Sequence, residues 1–313
     1  MLTFVARRLL HAIPILLGVS MLVFGLVQMI PGNPIDLLLP PEAPPELIAQ
    51  MTAAYGFDKP LHIQYFSWLG RTLQGDLGYS IFTGAPVARE LMSALGNTFV
   101  LAVPAALLGF ALGVGLGALA AFHQGTWIDK AASAFAITGV SLPHYWFAIV
   151  LVVIFSVTLN WLPAQGMGFE GLPGSFAEAR SLVLPVVTLS LIPMGVVARV
   201  VRATVLEVLN QEFVATLRAK GLIDREVLLH VLKNAAPAAL AVMGLQFGYL
   251  LGGSILVETV FNWPGSGNLL NLAIFRRDVP VMQATIVVLA FFFVLVNLLV
   301  DIAQAAIDPR IRR

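Results

Sequence analysis

The sequence predicts an all-α polytopic membrane protein with six transmembrane helices, and three observations carry that reading. First, 58% of its 313 residues are hydrophobic and 11% are charged, with a mean hydropathy of +0.89. That leaves too little polar surface to clothe a water-soluble globule, so a lipid bilayer must take part of the solvent's role. Second, six stretches are long and apolar enough to cross a hydrocarbon layer about 30 Å thick, which takes roughly 20 residues at about 1.5 Å rise each. Third, those stretches lack the alternation of period two that a barrel strand requires, so helices are the spanning structure.

Taken in chain order, Arg7 and Arg8 precede an apolar run over residues 9–30. The run is longer than a typical signal-peptide core and ends in Pro31-Gly32-Asn33-Pro34 rather than at a small-residue cleavage site, so it is expected to stay as the first span. A long loop, residues 31–97, follows. It holds two amphipathic pieces, one with Leu47, Ile48, Met51 and Tyr55 and one with Leu61, Tyr65, Trp68, Leu69 and Leu73. These fit helices lying at the bilayer interface or a small cap folded on the spans, and the two are compatible. The remaining spans are expected at 98–122, 134–159, 182–201, 236–260 and 284–307. The second loop of note, 203–235, has helical composition broken by Gly221, and Pro237 is expected to open the span after it. Three regions result: 1–30, the loop 31–97, and a five-span core over 98–313.

Six spans place both termini on one side. Arg7, Arg8, Lys130, Arg199, Arg202, Arg218, Lys220, Arg225, Lys233, Arg310, Arg312 and Arg313 fall on that side, 12 of the 18 basic residues. Lys59, Arg71, Arg89, Arg180, Arg276 and Arg277 fall on the other. The excess marks the side of the termini as cytoplasmic.

Much chemistry is missing. No Gly-Lys dipeptide occurs, so a phosphate-cradling loop for ATP is not encoded, and neither a Gly-x-Ser-x-Gly elbow nor a His-Glu-x-x-His helix is present. Cys is absent, which removes disulfides and thiolate catalysis. The five His lie far apart, so no compact metal motif exists and no metal site is assigned. A net charge of +1 with scattered basic residues gives no nucleic-acid footprint.

Few polar residues interrupt the spans. Glu258, Asp301, Arg199 and Arg202 sit near span ends, where snorkelling or pairing at the interface is the expected state. Gln28, Gln246, Ser254 and Asn297 lie within apolar helices. Gln246 and Ser254 are eight residues apart and share a helix face, so with Glu258 they are candidates for lining a polar pathway, against a plain role in interhelical hydrogen bonding. Gly109, Gly113, Gly115 and Gly117, and the pair Gly252-Gly253, permit close helix approach.

Nine strings in order give the chain a specific likeness: RRLLHAIPILLGVSMLVF at 7–24, PGNP at 31–34, KPLHIQYFSWL at 59–69, GDLGYS at 75–80, FSVTLNWLPAQG at 155–166, LRAKGL at 217–222, LQFGYLLGGSILVETVFNWPGSG at 245–267, RDVP at 277–280 and DPRIR at 308–312. They resemble the membrane permeases of bacterial ABC importers for dipeptides, oligopeptides, glutathione and nickel, almost end to end. Asn33 stands where the family more often has Asp.

The resemblance implies a type I ABC importer permease fold in the bacterial inner membrane. Its implied partners are a second, homologous permease, two cytoplasmic ABC ATPases that bind ATP and Mg, and an extracytoplasmic substrate-binding protein. The chain itself would hold no cofactor and be no enzyme. It further implies that the loop after the fourth span carries a helix docked on an ATPase, with Glu212, Phe213, Thr216, Leu217, Arg218, Ala219, Lys220, Gly221 and Leu222 as the coupling residues. The family's motif begins Glu-Ala-Ala, whereas here Ala215-Thr216-Leu217 stands, with Glu212 three residues earlier. Physically, Phe213, Val214 and Leu217 would form an apolar knob entering the ATPase, with Arg218 and Lys220 at its rim and Gly221 ending the helix in a left-handed or close-approach conformation. The implied cargo is a dipeptide or a glutathione-like small peptide. Nickel or oligopeptide is the alternative within the family, and a channel or secondary carrier is the alternative outside it.

Overall fold

The computed structural model describes residues 2–29, 43–55 and 58–307. The strings at 31–34 and 308–312, and the basic residues Arg310, Arg312 and Arg313, lie outside the described residues. Twelve α-helices occur among those described, with no strand beyond an isolated bridge between Tyr79 and Pro86.

Helix α1 (Leu2–Gln28) is the first span, and α2 (Pro45–Tyr55) and α3 (Leu61–Leu73) are the two amphipathic pieces of the loop. Helix α3 lies against α1: Tyr65 and Ser20 share a hydrogen bond of 2.8 Å, and the Phe24 ring meets Tyr65 edge-on with centroids 5.5 Å apart. Phe66 and Leu73 on α3 stay exposed, so the helix has both a face on the first span and an apolar face turned outward.

Helix α4 (Val87–Phe122) and α7 (Phe176–Leu209) form the most extensive helix pair. Glycine makes it possible. A Cβ on Gly109, Gly113 or Gly117 would lie 2.7, 2.8 or 2.5 Å from the carbonyl oxygens of Ser190, Met194 and Ala198, so the three, spaced four apart, form the seam along which the two backbones touch. Gly115 and Gly252, expected to serve the same purpose, meet nothing within 4 Å.

The third expected span is not one helix. Helix α5 (Trp127–Ser141) and the segment His144–Thr158 meet at 101°. Leu142 is extended (φ −78, ψ 129) because the ring of Pro143 excludes the helical conformation from the residue before it. The second segment starts as α6 (His144–Leu151) and widens into a π-helix, Val152–Thr158, before Asn160 reverses the chain at φ 52. Among the described residues five helices are thus long and apolar enough to cross a membrane, and six if the bent pair counts as one span.

The loop 203–235 is also less of a loop than expected. Helix α7 runs on to Leu209 and α9 (Asp224–Gly253) begins well before Pro237, which lies inside it rather than at its start. Only a short connection carrying α8 (Glu212–Ala219) remains between them. Beyond α9 come α10 (Ile255–Val260), α11 (Ser266–Arg276) and the last span, α12 (Val279–Ile307). Helices α1 and α12 are the least buried spans; leucines and isoleucines such as Leu10, Ile13 and Leu22 point outward, as expected where lipid or other subunits provide the solvent.

Candidate functional site

The segment between α7 and α9 is built from its own apolar stripe. Val214 is buried, and Phe213, Leu217 and Leu222 pack with it on Val205 and Val208 of α7 and Val227 and Val231 of α9. Those side chains anchor α8 to its own chain, with Val214 fully buried and Phe213 and Leu217 remaining half-exposed. What α8 turns outward is Glu212, Ala215, Thr216, Arg218 and Ala219, with Lys220 and Gly221 following. Thr216 donates its hydroxyl to the Glu212 carbonyl.

The end of α8 follows from Gly221. At φ +81 it occupies the left-handed region, its N–H donates to the Arg218 carbonyl (2.9 Å), and the next N–H, of Leu222, reaches back to the Leu217 carbonyl (3.3 Å). These two bonds satisfy carbonyls a helix end leaves open, and Leu217 and Leu222 meet on the same apolar cluster, the full pattern of a glycine-terminated helix. Glu226 then takes the Ile223 N–H at the head of α9. The helix is therefore held at both ends and along one side, with a small polar face left free.

An ion pair braces the base of this segment. Arg202 of α7 binds Asp129 of α5 through both arms of its guanidinium, at 2.7 and 2.8 Å, and Asp129 also accepts from the Gly125 N–H and the Ser133 hydroxyl. Pairing was the expected state for Arg202, whereas Arg199 is exposed. Asp301 pairs with Arg8 at 2.8 Å, joining the last span to the first.

The second candidate region surrounds the fifth span. Gln246 is half-buried on α9. Ser254 and Glu258, in contrast, are 0% exposed. Glu258 Oε1 accepts from the hydroxyls of Ser254 and Thr98, both at 2.8 Å, and Oε2 accepts from the N–H groups of Gly267 (2.7 Å) and Asn268 (3.0 Å) at the start of α11. The carboxyl oxygens thereby satisfy open donors of a helix N-terminus. Around it, the Trp263 indole N–H donates to the Asn97 carbonyl, Asn97 donates to the Pro264 carbonyl, and Asn268 donates to the Trp263 carbonyl. Glycine is required at 267, since a Cβ there would lie 2.6 Å from Ile255 Cα. The NWPGSG string is thus a close-fitted corner rather than an open lining.

Sequence reasoning missed Asp129, Thr98, Asn268 and Asp278. Asp278 left a signal, an acidic residue directly before Val-Pro at the start of an apolar run, which is a helix N-cap pattern. Asp129 and Thr98 are joined to partners 73 to 168 residues away, a distance no local pattern reports, and Asn268 binds Glu258 and Trp263 within its own corner of the chain. Among the described residues no group of three or more His, Asp or Glu side chains is placed to hold a metal ion.

A bundle of apolar helices, broken at the third span and bearing a short helix clamped between the fourth and fifth, defines a class: a membrane subunit with the type I ABC importer permease fold. Over 71% of this chain and 98% of the other, it superposes on a chain of the MetNI methionine ABC transporter in an inward-facing conformation, with a TM-score of 0.59 at 19% identity. The chain belongs to the family described as "Binding-protein-dependent transport system inner membrane component", whose profile matches residues 113–313, and residues 1–102 match the corresponding N-terminal profile. It is 40% identical over 313 residues to the glutathione transport system permease protein GsiC of Salmonella choleraesuis, covering 100% of this chain and 99% of that one. It is 39% identical to the di/tripeptide permease DppB of Pseudomonas aeruginosa and to the dipeptide permease DppB of Alkalihalophilus pseudofirmus, in each case over all of this chain and at least 99% of the other.

Proposed function

We propose that this chain forms half of the translocation pathway of an ATP-driven importer for dipeptides or a glutathione-like small peptide. A homologous permease supplies the other half, two cytoplasmic ATPases hold ATP and Mg, and an extracytoplasmic binding protein delivers the cargo. The names of the full-length relatives support the cargo class, and family membership favours an importer subunit over a channel or secondary carrier.

The observation that carries the reading is the build of α8. Its apolar side is anchored on α7 and α9, so a push on its exposed face, Glu212, Thr216, Arg218, Ala219 and Lys220, is delivered to two membrane-crossing helices at once. Gly221 and Leu222 lock the end of that lever. An exposed face of one anion and two cations addresses a partner by charge and shape, with half-exposed Phe213 and Leu217 at its edge. In this reading both termini and α8 face the cytoplasm, Gln246 lines the pathway, and Ser254 and Glu258 hold the wall behind it.

The test is uptake of a radiolabelled dipeptide by cells carrying the complete transporter, competed with glutathione, with and without depletion of ATP. ATP-dependent uptake that a dipeptide saturates supports the reading; uptake that persists without ATP refutes it. Orientation is read separately, since the chain has no Cys. Ser67→Cys reacts with an impermeant thiol reagent from outside intact cells and Thr216→Cys only after lysis, and the opposite pattern refutes the assignment.

A further inference from the structure

Helix α11 is bracketed by two buried carboxylates. At its N-terminus stands Glu258, bound to the Gly267 and Asn268 N–H groups and, through its other oxygen, to Ser254 and Thr98. At its C-terminus Arg277 turns the chain in the left-handed region (φ 55), and the next residue, Asp278, is 3% exposed. Asp278 accepts from the Ser80 hydroxyl at 2.5 Å and from the N–H groups of Ile81 (3.2 Å) and Phe82 (3.3 Å). Those three residues belong to a loop far away in sequence, just before α4.

That loop is itself closed. The Ser80 N–H donates to the Ala85 carbonyl, the Val87 N–H to the Gly78 carbonyl, and the Thr83 N–H to the Ser80 hydroxyl, all within 3.0 Å. The Arg276 guanidinium lies 4.0 Å over the Phe82 ring, adding a cation–π contact between loop and helix. Tyr79 and Phe82 nevertheless keep most of their surface exposed. The loop is thus a small rigid body that can be pushed from outside and is bonded to α11 inside.

The other end has little slack. Gly265 and Gly267 sit so close to Glu258 that a Cβ on either would overlap its carboxylate. Between the two ends run 11 helical residues, a rod of about 16 Å at 1.5 Å per residue. Two carboxylates that merely capped neighbouring helices would need no bonds beyond their own helix starts; each of these also binds a third segment, Thr98 of α4 at one end and the loop at the other.

We propose that α11 is a strut that carries displacement of the outer loop 78–87 to the Ser254–Glu258 corner of the fifth span, with Asp278 as the positioning residue that joins loop to strut. Its use in transport rests on the function proposed above; its mechanics do not. Load on the loop moves Asp278, the rod moves with it, and Glu258 passes the movement to α10 and to the end of α9.

Hydrogen–deuterium exchange of the full chain in phospholipid nanodiscs tests the mechanics without partner subunits. Asp278→Ala should speed exchange not only at 80–86 but at least tenfold at 262–270, the opposite end of the strut. Thr98→Val, which removes one hydroxyl from Glu258, should speed exchange at 80–86. The α7 segment 190–205 should be unchanged in both. Effects confined to the mutated end would overturn the proposal, as would a general loss of protection that includes α7. If Asp278→Ala does not accumulate, Asp278→Asn, which keeps one accepting oxygen, is judged by the same criterion. In cells with a working transporter, each substitution should lower uptake at least fivefold and the double variant no further than the stronger single one, as expected for two ends acting in series. Multiplying losses would overturn the strut, whereas absence of wild-type uptake would speak against the proposed function and leave the exchange result standing.

Discussion

Arg202 grips Asp129 with both arms of its guanidinium, and the carboxylate it holds is 6% exposed. The pair ties the start of the broken third span to the part of α7 that leads into α8. Removing the cation alone leaves the Asp129 carboxylate without its main partner, so Arg202→Ala should destabilise the purified chain measurably. Arg202→Lys should restore only part of that, because an ammonium cannot occupy the fork geometry. The double change Asp129→Ala/Arg202→Ala should be milder than Arg202→Ala. Thermal unfolding in detergent, followed by loss of the monodisperse peak, measures these three and the single Asp129→Ala, and a double variant as damaged as the sum of Asp129→Ala and Arg202→Ala would contradict the pairing.

Helix contact along the glycine seam is equally specific. Gly113→Val places a Cβ 2.8 Å from the Met194 carbonyl oxygen and should force α4 from α7, costing about 1–3 kcal/mol or more. Gly115→Val, two residues on, meets nothing within 4 Å and should leave stability of the isolated chain unchanged. The same thermal assay compares them, and equal effects would show that the seam is not where the packing places it.

Much of this was legible in the chain, and what was not has identifiable causes. Apolar runs marked the spans because membrane insertion demands continuous hydrophobicity, and Gly221 marked the end of α8, of whose two expected conformations the left-handed one is found. The break in the third span was missed although Pro143 stands at it, because an apolar run conceals a bend, since hydropathy does not change there. The packing of Phe213 and Leu217 on α7 and α9 was hidden for another reason: an amphipathic helix reports that it has an apolar side, not which other segments of its chain that side touches. The engagement of Glu258 by Thr98 and Asn268 depends on three segments converging, which only the folded chain reveals.

At the end of α8, Gly221→Val places a β-branched residue at φ +81, a strain of about 1–3 kcal/mol confined to the helix terminus because no atom lies within 4 Å of the new Cβ. Gly221→Asn, which tolerates the left-handed region, should be milder. Both should insert and fold. Uptake should fall in the order wild type, Asn, Val, and normal uptake by the Val variant would show that the geometry of this turn does not matter to transport.

Gln246→Leu removes a half-buried amide from the face proposed to line the pathway and should lower uptake several-fold with assembly and ATP hydrolysis retained. Ser254→Ala removes one of the hydroxyls on buried Glu258 and should instead lower thermal stability, by about 1–3 kcal/mol. Retained uptake in the first variant, measured beside membrane abundance, would return Gln246 to a packing role.

In the proposed mechanism separate ATPases drive this chain through the exposed face of α8. The absence of Cys lets a photo-activatable crosslinker be attached at one chosen point, Thr216→Cys, on the face directed away from α7 and α9. Irradiated in native membranes, it should yield one dominant adduct with a nucleotide-binding polypeptide, weakened by Arg218→Glu and altered when ATP is trapped. A crosslinker at Ser67→Cys, in the long loop, should never yield that adduct. An α8 crosslinker that captured no nucleotide-binding polypeptide, while the same membranes carried out ATP-dependent uptake, would contradict the account.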